Sequence, residues 1–209
     1  MNGAAIALFG LCLSLVAWPV AAFAALGAVA PQPASEIELD TRFMAGEQNA
    51  PVVLVLYACG RSERCSTLVP SLYYEVMSGR LKGKVRLYYR PFFPDDQPEA
   101  TACGRALVAA ASQGEFWPYL LYLYYHREAF QLCLVRKWAD LKGLDGCAFD
   151  LAYNDPKTTE FLAAAKREAL RNKVDVIPTA FINGRKVTVS LTTDVLIELL
   201  KDEIERVSR

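Results

Sequence analysis

The chain has 209 residues, 53% of them apolar, with Lys+Arg and Asp+Glu both at 23. That is enough for one domain with a sizeable core plus a leader. The even charge balance, with no run of one sign, argues against a nucleic-acid binder or a basic patch for anionic lipid, because either needs an excess or stripe of positive charge.

The first charged side chain is Glu36, and Ala4 to Ala30 is nearly all apolar, broken by Gly10, Ser14, Pro19 and Gly27. A span of about 20 apolar residues crosses a bilayer, whereas Pro19 disturbs a helix interior. Ala22-Phe23-Ala24 has the small-x-small form of a signal-peptidase site. Met1-Asn2-Gly3 lacks the Lys or Arg of a usual leader start. Residues 1–24 therefore read as a signal peptide or a retained membrane anchor, and residues 25–40 as linker and lead-in. Either reading places residues 35–209, and so the domain of residues 41–209, outside the cytosol. Cys12 lies in the leader, leaving Cys59, Cys65, Cys103, Cys133 and Cys147. Export permits disulfides, and an odd number leaves at least one thiol free or paired with another molecule.

Pro51 to Tyr57 is an apolar, β-branched run, the pattern of a strand buried on both faces. A cysteine-bearing loop, Ala58 to Cys65, follows. Leu68, Leu72, Tyr73 and Val76 then mark a helix over Ser66 to Met77, with Pro70 at a kink or in the first turn. Gly79 to Gly83 is a turn, and Lys84 to Arg90 is a second strand stopped by Pro91. Helical patterns cover Ala100 to Gln113, the aromatic cluster Phe116 to Phe130, Leu134 to Leu141 and Ala163 to Leu170, with Asp155-Pro156 as a helix start. Thr179 to Ile182 and Val187 to Val189 flank Asn183-Gly184, a hairpin turn signal. Leu196, Leu200, Ile204 and Val207 form the stripe of a closing helix capped by Thr193 or Asp194. The order is that of an α/β thioredoxin-like fold with a helical insertion, residues 98–172, between its second strand and a later proline loop.

Four segments in that order carry a resemblance. PVVLVLYACGRSERCSTLVPSL is similar to the strand, Cys-x-x-Cys and first helix of the DsbA-like thioredoxin family, the extracytoplasmic thiol:disulfide interchange proteins. KVRLYYRPFFP resembles that family's second strand and its exit, GEFWPYLLYLYY its Gly-x-Phe-Trp helix, and VDVIPTAFINGRKV its cis-proline loop and hairpin. The resemblance spans Pro51 to Arg209 and implies a cis bond at Pro178. It also implies that the backbone of Ile177 hydrogen-bonds an extended client peptide.

The departures bear on the chemistry. Aligned from Pro51, the family's Cys-x-x-Cys register falls on Ser62-Glu63-Arg64-Cys65, so serine stands where the first cysteine belongs. Cys59 lies three residues earlier, giving CGRSERC, and Leu56 stands where the family has an acidic residue. Disulfide exchange needs a thiolate nucleophile and a second thiol to resolve the mixed disulfide. A helix N-terminus lowers a thiol pKa, so Cys65 in the first helical turn is expected to gain, helped by Arg61 and Arg64. Five intervening residues including Gly60 let Cys59 fold back to the roughly 4.4–6.8 Å Cα separation that a disulfide requires.

Three possibilities stand: Cys59 and Cys65 as a displaced redox pair, the same two as a fixed bridge or kept apart, and Cys65 acting alone. The expected site is Cys59, Cys65 and Pro178 for chemistry, with Ile177, Ser62, Arg61 and Arg64 against the substrate. Cys133–Cys147 is the bridge that proximity suggests in the insertion. The single histidine, His126, reads as a packed or surface residue. Zinc sites show tighter Cys/His spacing, so no metal is expected, nor an organic cofactor. The expected partners are client proteins with cysteines or extended peptides and a membrane redox partner, with membrane contact only through an uncleaved N-terminus. The alternative is a redox-silent module that binds peptides through the Pro178 groove, or a tethered partner of a larger assembly.

Overall fold

A computed structural model of the chain describes residues 36–93 and 98–209. The leader, residues 1–24, and most of the lead-in lie outside the described residues. A 3-10 turn, Thr41–Phe43, leads into β1 (Met44–Ala45), β2 (Val52–Ala58), α1 (Glu63–Met77) and β3 (Val85–Pro91). Five helices follow: α2 (Pro98–Ser112), α3 (Phe116–Tyr125), α4 (Leu134–Leu141), α5 (Gly146–Asn154) and α6 (Pro156–Arg171). The chain then returns through β4 (Thr179–Ile182) and β5 (Arg185–Lys186) to α7 (Thr193–Val207). No helix among the described residues is long and apolar enough to cross a membrane.

The five-stranded sheet has the order β1-β3-β2-β4-β5. β2 and β3 are parallel, in register from Val52↔Val85 to Ala58↔Pro91, and β4 runs antiparallel to β2 from Leu54↔Ile182 to Tyr57↔Thr179. The apolar runs of β2 and β3 place them at the centre, where both faces are covered. Successive side chains alternate between faces. Leu54, Leu56 and Ala58 join the larger core with Leu68, Val69 and Leu72 of α1 and Leu196 and Leu200 of α7. Val55 and Tyr57 point the other way, into a smaller cluster with Tyr88, Phe92, Phe181 and Ala169. The α/β thioredoxin-like fold is present, and helices α2 to α6 occupy the chain between β3 and the proline loop.

Several boundaries depart from the pattern reading for local reasons. α1 begins at Glu63 rather than Ser66, because Ser62 caps it by accepting the Cys65 N–H. Pro70 sits inside α1 rather than in its first turn. β5 is Arg185–Lys186, not Val187–Val189: Asn183 (φ 47) and Gly184 (φ 76) both adopt the left-handed conformation of a two-residue hairpin turn, so pairing resumes at once with Ile182↔Arg185. Asn183 also fixes the turn to β2, accepting the Val53 N–H at 2.9 Å through its side chain. The cap of α7 is Thr192, whose hydroxyl accepts the Val195 N–H at 3.3 Å. α5 carries almost no apolar signal, since only Phe149 is buried, and it is started by Asp145 accepting the Ala148 N–H at 2.7 Å. Asp155 closes α5 and caps α6, with Pro156 in the first turn of α6.

Candidate active site

The C-terminal end of β2 delivers the chain to a four-residue loop, Cys59 to Ser62, and that loop to the start of α1. Ser62 turns the corner: its N–H donates to the Cys59 carbonyl at 3.1 Å and its hydroxyl accepts the Cys65 N–H at 3.4 Å. The serine in the register of the family's first cysteine therefore works as the helix cap. Cys59 Sγ accepts the Arg61 N–H at 3.4 Å. Cys65 is the third residue of α1, with 0% exposure against 6% for Cys59. Cys59, Ser62 and Cys65 are thus brought together.

The expected lowering of the Cys65 pKa does not occur. Burial is the largest influence and pushes the thiol up from the ordinary 9.0 to about 11, against the opposing Ser62 hydroxyl, the Cys59 backbone and a weak effect of Arg64. Solvent exclusion penalises the thiolate more than the helix end favours it. Cys59 is raised as well, by burial, with the Arg61 and Ser62 N–H groups opposing. Arg61 does not attend Cys65. Its guanidinium donates to the Arg127 carbonyl and lies 4.7 Å from the centre of the Phe130 ring. What electrostatic help it gives falls on Cys59 and Cys103.

The aromatic helix α3 forms one wall of the loop. Tyr124 donates its hydroxyl to the Cys59 carbonyl at 3.3 Å, and Leu123 packs at Gly60. Trp117, Tyr119 and Tyr124 are core residues, while Tyr125 is 86% exposed. His126 packs among rings, 4.3 Å from Tyr122 and 6.1 Å from Trp138 between centroids. Among the described residues, no three His, Cys, Asp or Glu side chains are grouped as metal ligands.

The Ile177–Pro178 peptide is cis. Pro178 borders an open groove of about 330 Å³, with Arg64 on one side and Val176, Val187, Val189 and Leu191 along it. Arg64 and Pro178 thus meet across this groove, next to the start of α1. The Ile177 side chain is partly buried and packs against both core clusters.

All five cysteines of the described residues are unbridged, which corrects the Cys133–Cys147 bridge. Cys133 stands just before α4 and Cys147 in the first turn of α5, both exposed. Cys103, on α2, is fully buried and lies under Gly60 of the cysteine loop. The spacing Cys103, Ala106, Leu107, Ala110 marks a buried helix face, but nothing local says what that face meets.

A thioredoxin family model matches residues 38–202. The chain is 28% identical over 152 residues to the Na(+)/H(+) antiporter NhaA 1 of Mycolicibacterium vanbaalenii, covering 71% of this chain and only 24% of the antiporter. Among solved structures it is similar to a thioredoxin-like oxidoreductase from Silicibacter pomeroyi, with a TM-score of 0.65 at 18% identity, covering 78% of this chain and 91% of that one. It is also similar to the thiol-disulfide exchange protein alpha-DsbA2 of Wolbachia pipientis, with a TM-score of 0.64 at 14% identity, covering 78% and 90%.

Proposed function

The chain belongs to the thioredoxin family, with a DsbA-like fold, and on that premise we propose that it is an extracytoplasmic thiol–disulfide oxidoreductase acting on protein cysteines through Cys59 and Cys65. The observation that carries the reading is the convergence of both thiols on one corner, with Ser62 bonded to each residue and the Pro178 groove beside it. Cys59 lies in the loop and Cys65 within α1, so the client-facing role is assigned to Cys59. In the oxidising direction a client thiolate attacks Cys59 of a Cys59–Cys65 disulfide and Cys65 leaves as a thiolate that takes a proton. A second client thiolate then attacks the mixed disulfide, forms the client disulfide and releases Cys59. Two electrons pass from client to enzyme, and the reverse sequence reduces a client disulfide. The reduced pair gains no stabilised thiolate, since burial raises both thiols.

The Pro178 groove, lined by Arg64, Lys186, Thr188 and Ser190 as well as by Val176, Val187, Val189 and Leu191, suits an extended peptide. The apolar stretch Ala4 to Ala30 supports export to the periplasm or cell envelope, and a membrane redox partner is the natural source or sink of electrons there. A second reading is favoured by one observation: serine occupies the first-cysteine register and caps the helix, as in a peptide-binding module without turnover.

A non-reducing peptide map of the protein, equilibrated across glutathione buffers of graded poise, separates the two. A Cys59–Cys65 link that opens and closes within the physiological range supports the oxidoreductase. A pair that never links, or that stays linked until strongly reducing conditions, leaves the binding module.

A further inference from the structure

The cysteine loop rests directly on a third thiol. A Cβ placed on Gly60 would stand 2.5 Å from Cys103 Sγ, and 3.2 Å from Leu123 and 3.6 Å from Leu107. The bare backbone of Gly60 is what allows the loop to lie there. Gly60 Cα is then within about 4 Å of the Cys103 sulfur. Cys59 Cα, one 3.80 Å step along the chain, is within about 8 Å. Cys103 faces the loop from α2 at 0% exposure, and after burial the largest influence on its thiol is Cys59, followed by Arg61. Tyr89 closes the same space. Its buried hydroxyl has no partner of ordinary hydrogen-bond geometry, although Tyr124 is its neighbour, and it is in electrostatic range of Cys59, Cys65 and Cys103 alike.

We propose that Cys103 is a third redox thiol of this site, which takes Cys59 into a Cys59–Cys103 disulfide beneath the loop. The proposal rests on the oxidoreductase reading. Cys103 is held within α2, so the approach falls to the loop, residues 59–62. Starting from a Cys59–Cys65 bond, the Cys103 thiol loses its proton and attacks Cys59. Cys65 leaves and takes up a proton, with no net change in electrons. Starting from three thiols, an external disulfide such as oxidised glutathione accepts two electrons and two protons and departs as two thiols. The site then holds its oxidising equivalent in either of two bonds, one from the loop to α1 and one from the loop to α2.

The test is the non-reducing peptide map applied to the full chain and to Cys65→Ser, Cys103→Ser and Gly60→Ala, equilibrated in the same glutathione buffers. Cys65→Ser is expected to give the Cys59–Cys103 peptide as its main linked species, and Cys103→Ser to retain Cys59–Cys65. Gly60→Ala, whose added methyl wedges the loop off Cys103, is expected to lower the Cys59–Cys103 yield about tenfold or more while sparing Cys59–Cys65. If Cys65→Ser carries Cys59 only as a glutathione adduct while the wild type cycles Cys59–Cys65, the third thiol is refuted and the oxidoreductase stands. If the wild type forms Cys59–Cys103 alone, the third thiol stands and the Cys59/Cys65 pair falls. If no link forms in any variant, both fall.

Discussion

The two faces of the sheet bury polar groups in opposite ways. On the α1 face, Cys59, Cys65 and Cys103 sit out of water and keep their protons, each thiol raised by burial. On the α6 face, Arg90 at 1% and Glu168 at 4% exposure are buried as deeply, yet joined as an ion pair. Arg90 donates twice, Nε to Oε1 at 3.0 Å and Nη2 to Oε2 at 2.8 Å, and Tyr57 and the Glu38 N–H complete the carboxylate at 2.6 and 2.9 Å. A thiol escapes the cost of burial by staying neutral, whereas a guanidinium does not lose its proton in a protein and must be paired. One face is therefore held by a buried guanidinium–carboxylate pair, though Arg90 Nη1 has no partner, and the other holds neutral thiols.

The largest expected effect is on the paired face. Arg90→Met or Glu168→Leu alone leaves an uncompensated buried charge and should cost about 3–5 kcal/mol in urea unfolding. The double substitution should recover most of that loss. If each single variant unfolds like the wild type, the contrast between the faces is lost.

The next effect is on the thiol face and appears as pH dependence. Above the ordinary thiol value of 9.0 the unfolded chain gives up its Cys65 proton while the folded chain holds it up to about 11. The unfolded state then binds fewer protons, so stability falls as pH rises through this window and is fully present below it. Cys65 contributes at most about 3 kcal/mol of that fall. Denaturant curves taken between pH 8 and 11 under a phosphine reductant should show a steeper decline for the wild type than for Cys65→Ser. Equal slopes would mean that Cys65 is not shielded in solution.

The smallest effect on stability separates inner from outer cysteines. Cys133→Ser and Cys147→Ser should change unfolding free energy by no more than about 0.5 kcal/mol. Brief alkylation of the reduced protein at neutral pH, read by mass spectrometry, should label these two well before Cys59, Cys65 and Cys103. Early labelling of Cys65 would reverse the assignment of which thiols are closed to solvent.

Much of the architecture was legible because it rests on local rules. The unbroken apolar runs of β2 and β3 announced strands covered on both faces, Asn183-Gly184 fixed a two-residue turn, and Asp155-Pro156 opened a helix. α5 escaped because a single buried side chain, Phe149, leaves no periodic stripe, and β5 was misplaced because the tightest turn leaves no spacer before pairing resumes. At the site, the order of Cys59, Ser62, Cys65 and Pro178 was plain, and so was the anomaly of Ser62. The charge state of Cys65 was not. A helix start argues for a lowered thiol pKa, and only the packing around Cys65 shows that solvent exclusion outweighs it.

By itself the sequence determined the succession of strands, caps and turns, hence the thioredoxin-like frame and the corner where the cysteines lie. Spacing, backbone preference and capping act over a few residues, so they are written in neighbouring letters. The tertiary structure alone decided that Arg61 turns away to Phe130, that Arg90 finds Glu168, and that Cys103 from α2 lies under Gly60. Those outcomes depend on which surfaces exclude water together, a sum over β2, α1, α2, α3 and α6 that no local stretch of the chain contains.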